Sequence, residues 1–339
     1  MPKYDVNIDD ANEAKRAMVD VLGTINPRVL NKVGAFSSLF DFGDLPFKHP
    51  VLVLKTEEPG SKQLIATQYN RIEGVCVDMV NHLINDCIVM GATPLVLQDA
   101  IICGKLEKSM VLRIVTALSA AAREQGCVLT GGETSEQPLV LPSGTYILTS
   151  SIVGVVEKER IIDGSRIENG DIVLSAQASG IHTNGYTLVR KIMSDKPMIM
   201  DEWIDGRSFI DEILEPHRCY YKPLKPLFET DSINGLAHIT GGGICENLNR
   251  ILPAHLDAEI DLSAYRINTV FRLLQQYGNV SDREMLRTFN LGCGLAIVCN
   301  PAITDEIIAR FNRFSIPCYP IGTIKPGTGA VQIMGNLRW

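Results

Sequence analysis

The sequence contains no C-x-x-C pair, no G-x-x-x-x-G-K-[ST] run, no G-x-G-x-x-G run and no G-x-S-x-G. These absences remove a zinc ribbon, a dithiol redox centre, a P-loop, a dinucleotide fingerprint and a nucleophile elbow. Basic tracts are missing too: 32 lysines and arginines stand against 39 acidic residues, a net charge of −7. That balance argues against a nucleic-acid partner, because a protein that tracks a phosphate backbone concentrates positive charge. An anionic small molecule would have to be captured locally, by backbone N–H groups and a few cations. No apolar stretch follows the first residues, and the longest uncharged window, 137–156, is interrupted by proline and glycine. The expectation is a cytoplasmic protein with no membrane span. No unit of 20–50 residues repeats and no segment is of low complexity, which excludes solenoids and propellers.

What is present is a chain of 339 residues, 45% hydrophobic and 21% charged, with a mean hydropathy of +0.09. At about 150 residues per domain this length predicts two domains. Folding a chain of this size buries roughly three quarters of its extended surface, so no covalent staple is needed. The nine cysteines, most of them inside apolar runs as at Cys87 and Cys299, read as reduced core thiols.

Residues 50–56 form an apolar strand run that ends in Glu57-Glu58-Pro59-Gly60-Ser61-Lys62, and 63–69 continue it. From Val75 to Ile88 apolar residues recur at helical spacing, with Gly91 and Pro94 as the stop. A second amphipathic helix covers 108–125, CVLT (127–130) runs as a strand into a Gly131-Gly132-Glu133-Thr134 loop, and 146–156 is a long buried strand. The charged, turn-rich stretch 157–171 separates this half from one that alternates strand, glycine loop and helix. The domains are therefore expected at 1–168 and 169–339, the second α/β and the first α+β.

Two strand–glycine–helix junctions in the second half are candidate anion cradles. A helix N-terminus leaves N–H groups unpaired and carries partial positive charge, and glycine lets the backbone close around phosphate. One junction is Ser179-Gly180-Ile181-His182-Thr183-Asn184-Gly185, the other Gly241-Gly242-Gly243 with Asn247 beyond it. Tight βα turns are the alternative for either alone. In the first half Asp78, His82 and Asn85 share a helix face, with Asp86 beside them. Asp78 and Asp86 are about 12 Å apart along a helix and cannot hold one ion together. One of them could hold Mg²⁺ with Glu133, although a solvated helix face explains the stripe as well.

Taken in order, INDCIVMGATP (84–94), GGETSEQP (131–138), GVVEKERIIDGSRIENGD (154–171), SGIHTNGYTLVRKI (179–192), AHITGGGICENLNRILP (237–253) and RTFNLGCGLAIV (287–298) resemble the motifs of the aminoimidazole ribonucleotide synthetase family, the phosphoribosylformylglycinamidine cyclo-ligases. The resemblance runs in register from about Tyr4 onward. It implies two α/β domains and a homodimer whose N-terminal sheets pair into a barrel. It also implies ATP- and Mg²⁺-dependent ring closure on a ribonucleotide, in which an amide oxygen is phosphorylated and an amidine nitrogen displaces the phosphate. On this reading Glu57, Gly60, Ser61, Lys62, Asp86, Gly131, Gly132, Glu133 and Thr134 bind the nucleotide, with Glu57, Asp86 and Glu133 as metal ligands. Lys62 and Asp86 act on the transferring phosphoryl. Gly34, Ser37, Ser179, Gly180, His182, Thr183, Asn184, Gly241, Gly242, Gly243 and Asn247 bind substrate, His182 also moving or orienting a proton.

The sequence departs from the family where D-G-V-G-T-K is replaced by Glu57-Glu58-Pro59-Gly60-Ser61-Lys62. A permissive glycine and a backbone donor are lost there and negative charge is added. The family's glycine-rich N-terminal segment is reduced to Lys32-Val33-Gly34-Ala35-Phe36-Ser37, and GGETSEQPL lacks a final glycine. These changes leave open a divergent member of the superfamily, non-catalytic or of different specificity. Selenophosphate synthetase is disfavoured, since no cysteine precedes Cys76.

Overall fold

A computed structural model describes Met18, Val21, Leu22, residues 26–31 and residues 35–339. The expectation for Gly34 lies outside the described residues. Two compact units are formed, one by residues up to Cys87 together with Ala92–Glu159, the other by Ile88–Gly91 with Arg160–Trp339. The chain thus passes from the first unit to the second between Glu159 and Arg160, within the charged stretch 157–171. No helix of the described residues is long and apolar enough to cross a membrane.

In the N-terminal unit β1 (Pro50–Glu57), β2 (Thr93–Cys103), β3 (Val128–Glu136) and β4 (Tyr146–Glu157) form a sheet in the order β1-β4-β2-β3. Among these four strands only β2 and β3 pair in parallel, joined through a helix as a parallel crossover requires. Helices α1 (Lys62–Gln68), α2 (Ile72–Ile88) and α3 (Lys108–Glu124) complete the unit. Residues 63–69 are helical, so the strand expected to continue there ends at Glu57. Gly60, at φ +61°, turns the chain into α1, a conformation in which glycine carries no Cβ penalty. Val75, Met79, Val80, Leu83, Ile84 and Cys87 are buried on α2 as the periodicity predicts, and Val111, Ile114, Val115 and Leu118 on α3.

The sheet's two faces differ. Ile152, Leu148, Leu97 and Ile101 are buried on one. The other carries Leu52 and Leu54, 54% and 68% exposed, beside half-buried Val96, Ala100, Ile102, Ile147 and Val153. An apolar sheet face that no layer of the described residues covers marks a surface built for contact.

The C-terminal unit is built on a six-stranded sheet, β12-β9-β11-β5-β10-β8, with β5 (Ile172–Gln177), β8 (Gly235–His238), β9 (Leu256–Asp261), β10 (Cys293–Cys299), β11 (Cys318–Pro326) and β12 (Val331–Met334). A two-residue pair, β6 (Trp203–Ile204) with β7 (Arg207–Ser208), stands apart. The alternation of strands and helices read from the sequence is present, but only β9 and β12 pair in parallel. Every residue of β10 is buried, as expected for a strand covered on both faces. Around it lie α4 (Tyr186–Asp195), α5 (Phe209–Ile213), α6 (Tyr221–Leu224), α7 (Gly243–Leu248), α8 (Thr269–Gly278), α9 (Asp282–Thr288) and α10 (Thr304–Arg313). All nine cysteines are free thiols, and seven are buried.

Candidate active site: a polar cluster in each unit

In the N-terminal unit β1 brings Lys55 and Glu57 onto the sheet face that carries the buried core, because alternate strand residues share a face. Lys55 Nζ lies 2.7 Å from Glu57 Oε1 and 3.2 Å from Asp86 Oδ2. His82 Nε2 is 3.6 Å from the same Asp86 oxygen and 4.0 Å from Glu57 Oε1. Two carboxylates expected as metal ligands therefore do converge, and they converge on a cation. The two carboxylates raise the Lys55 pKa against the opposing effect of burial, so its ammonium is held charged.

Lys62 does not join this group. Its ammonium is fully buried and bonded to Asp78, at 2.9 Å from Oδ1 and 2.8 Å from Oδ2. The lysine expected to meet a transferring phosphoryl is instead half of an internal ion pair linking α1 to α2. The stripe of Asp78, His82 and Asn85, for which a solvated face is one expectation, is buried, as is Asn81, while Asp86 is half-buried. Buried polar groups of this kind must be bonded internally, which makes α2 a structural and electrostatic element as well as a core helix.

The Gly131–Thr134 segment is strand, not loop: β3 runs through it to Glu136. Gly132 pairs with Asp99 of β2, and a Cβ on it would stand 2.0 Å from the Asp99 carbonyl oxygen. Its glycine is thus required by strand packing rather than by a nucleotide cradle. Glu133 pairs with Ala100 and Thr134 with Ile101, so Glu133 projects from the face opposite to Glu57, and its carboxylate accepts the N–H of Thr134. Within one chain Glu133 cannot complete a ligand set with Glu57 and Asp86. Ser37 is exposed, with its carbonyl taken by Asn31 Nδ2.

No motif in the sequence marks Asp99. Glu57 pairs with Ser150 and Ser150 with Asp99, so both carboxylates stand in one row on the same face, about 10 Å apart at two strand spacings. Burial pushes the Asp99 carboxyl up to about 7. An acidic residue inside the apolar run LVLQDAIIC was the available signal, as was Lys55 inside PVLVLKTE.

In the C-terminal unit the two glycine loops meet. A Cβ on Gly241 would lie 3.3 Å from Asn184 Oδ1. The second loop is a turn more than a cradle: Gly242 N–H bonds Arg287 O at 3.0 Å and Gly243 N–H bonds Thr240 O at 3.1 Å. Asn247 is buried and donates its amide to the carbonyls of Gly243 and Gly241 at 2.8 and 3.0 Å. The N–H groups of Gly242 and Gly243 are thus used within the fold, and Asn247 pins the turn. Gly243, at φ +62°, leaves room for Leu286 O, 1.9 Å from where a Cβ would stand.

The first loop is held from below. Asn290 donates its amide to the carbonyls of Gly180 and Ile181, and Ser179 Oγ donates to Pro216 O at 2.7 Å. His182 sits at φ +64°, a left-handed conformation uncommon for a side chain of this size. Such strain persists where the surroundings fix it and concentrates at functional sites. Thr183 is buried and Asn184 half-exposed. Buried beside His182 are His217 and His238, neither of which the sequence marked, since they are distant in the chain. The ligand atoms of the three lie within 4.8 Å of one another.

The two units match the two domains of the AIR synthase related proteins, to which the chain belongs. The N-terminal domain model of that class matches residues 47–156 and the C-terminal domain model residues 168–334. Within the class the chain belongs to the phosphoribosylformylglycinamidine cyclo-ligase family. It is 40% identical to the cyclo-ligase of Chromobacterium violaceum over 307 residues, covering 90% of this chain and 89% of that one. The enzyme of Methylobacillus flagellatus is 39% identical over 310 residues, covering 91% and 89%. The fold recurs in thiamine-monophosphate kinase from Stenotrophomonas maltophilia, with TM-score 0.68 at 16% identity, over 96% of this chain and 97% of the kinase. It recurs too in the hydrogenase maturation protein HypE in complex with ATP, with TM-score 0.66 at 16% identity, over 98% and 92%.

Proposed function

We propose that the protein converts formylglycinamidine ribonucleotide to 5-aminoimidazole ribonucleotide at the expense of ATP, a step of purine biosynthesis in the cytoplasm. The observation that carries this is the identity of about two residues in five with cyclo-ligases over nine-tenths of the chain. The chemical logic is direct. An amide oxygen is a poor leaving group; phosphorylation turns it into phosphate, and the amidine nitrogen then closes the ring. Charge on the transferring phosphoryl must be neutralised by positioned cations.

Lys55, which can leave its two carboxylates for phosphate oxygens, takes the role that the resemblance implies for Lys62. The fit of Glu57 and Asp86 to a shared cation is supported by their convergence on Lys55 Nζ. They would hold Mg²⁺ together with phosphate oxygens, and the ion would supply charge neutralisation. Asp99, on the same face, is a further carboxylate for the nucleotide side. The more open parts of the two glycine loops, Ser179, Asn184 and Gly241, take the ribonucleotide together with the buried Thr183 between them. The E-E-P-G-S-K loop is compatible with this role, because Gly60 keeps the turn and Glu58 points to solvent.

The active form proposed is a homodimer in which the open sheet faces pair into a barrel. The apolar face bearing Leu52 and Leu54 supports it. Leu54→Arg is expected to halve the mass seen by sedimentation, from twice 37.3 kDa to that of one chain. A variant that stays at the wild-type mass would remove this face from the interface. The activity itself is tested by incubating the purified chain with Mg-ATP and formylglycinamidine ribonucleotide while following ADP and aminoimidazole together. Equal amounts of both are expected, and ADP without aminoimidazole would point to a different phosphoryl acceptor.

A further inference from the structure

Residues 286–292, which close α9 and lead into β10, touch both glycine loops of the C-terminal unit. Arg287 O accepts the Gly242 N–H at 3.0 Å, and Leu286 O occupies the space that a Cβ on Gly243 would need. Towards the first loop, the Phe289 ring occupies the space of a Cβ on Gly185, and Gly292 O accepts the Ala178 N–H at 2.9 Å. Between these contacts sits Asn290, 5% exposed. Its Nδ2 donates to Gly180 O at 3.0 Å and to Ile181 O at 3.2 Å, and its Oδ1 accepts the Gly292 N–H at 2.8 Å. This set fixes the amide orientation, since the flipped form would point oxygen at two carbonyls and NH₂ at an N–H. Left-handed residues lie on both sides, His182 at φ +64° just after Ile181 and Leu291 at +49° just after Asn290. Side chains of this size adopt that conformation rarely, and it persists where surrounding bonds fix it.

We propose that Asn290 is a positioning residue for ribonucleotide binding: it locks the first glycine loop to the segment that carries the second, so the two loops hold the substrate as one unit. The sheet explains why this segment can do so. β10 lies between β5 and β8 and is antiparallel to both, with Cys293 opposite Gln177 and Leu295 opposite His238. The loops that follow β5 and β8 therefore emerge at the end of the sheet where the chain enters β10. Without a tie, each loop would follow its own strand; with it, both are ordered before the ligand arrives, and less ordering is lost on binding. Asn290 acts only through the backbone of the loops. The inference rests on the ribonucleotide role proposed above for them.

Native-state hydrogen exchange of the full-length chain reads the coupling without turnover, with the Ala178 and Gly242 amides as reporters. In the wild type the two are expected to open together, with the same dependence on denaturant. Asn290→Asp keeps the size and the acceptor for Gly292 N–H but sets a carboxylate oxygen against two carbonyls. It should speed exchange of both amides about tenfold and raise KM for formylglycinamidine ribonucleotide about 30-fold, the scale of buried carbonyls losing their donor, with KM for ATP changed by less than about threefold. Leu274→Ala, a change in the buried core of α8, serves as the control for destabilisation alone. Compared at equal loss of Tm, it should leave the ribonucleotide KM within about twofold of wild type. Four results would each overturn the assignment: wild-type amides that open independently, faster exchange in Asn290→Asp confined to Ala178, an unchanged ribonucleotide KM, or an equal rise in Leu274→Ala. If Asn290→Asp does not fold, exchange of the wild type decides the coupling by itself. If the wild-type chain makes no aminoimidazole, the ring-closing reading fails, and the exchange pattern still decides whether the loops are one unit.

Discussion

Replacing Lys62 with methionine should destabilise the protein by about 3–5 kcal/mol, because it strands the buried Asp78 carboxylate without its cation. Both side chains are fully buried, so water cannot take over for the lost partner. The cost of the single change measures that stranding, not the net value of the pair. Removing both charges by Lys62→Met with Asp78→Leu should therefore recover most of the loss, since the fold no longer bears the desolvation of two ions. Denaturant unfolding of the three variants decides the matter. Equal stability of wild type and Lys62→Met would mean that Lys62 is not an internal ion-pair residue. Its direct role in phosphoryl transfer would then return.

Asp99 gives the second large effect, with the opposite sign. Its carboxyl is raised from 3.8 to about 7 by burial, so the native state binds the proton more tightly than the unfolded chain. Between these values the folded protein holds more protons than the unfolded one, and stability falls as pH rises. The loss is complete above about pH 7 and absent below about pH 4, and a shift of this size corresponds to about 4 kcal/mol. Asp99→Asn removes the ionisation and should melt well above wild type at pH 8, with the difference shrinking to nothing near pH 4. A constant difference across that range would show that Asp99 ionises freely in the folded protein.

The core was legible in the sequence because a single physical rule governs it: apolar residues at helical or strand spacing must face inward. The stripes on α2 and α3 and the strand at 146–157 follow from that rule directly. The glycine junctions at 179–185 and 241–243 were legible for a related reason, since each needs positive φ or a close backbone approach. What the spacing could not show is which side of the sheet a carboxylate faces once a bulge shifts the register, as between Leu97 and Asp99. The resemblance sets Glu133 with Glu57, from which the sheet separates it, and no motif marks Asp99. Nor can local spacing reveal a polar stripe that is buried: Asp78 and His82 look solvated until α1 and the sheet cover them. The histidine cluster is less visible still, because His182, His217 and His238 converge only through the tertiary fold.

The central claim, that ATP is spent to turn an amide oxygen into a leaving group, is tested most directly by following that oxygen. Formylglycinamidine ribonucleotide carrying ¹⁸O in the formyl group would be turned over with unlabelled Mg-ATP, and the released phosphate analysed by mass. The account predicts one ¹⁸O in each phosphate, formed in step with aminoimidazole. Unlabelled phosphate accompanying ring closure would contradict it, for ATP would then be hydrolysed by water and the amide oxygen lost by another route.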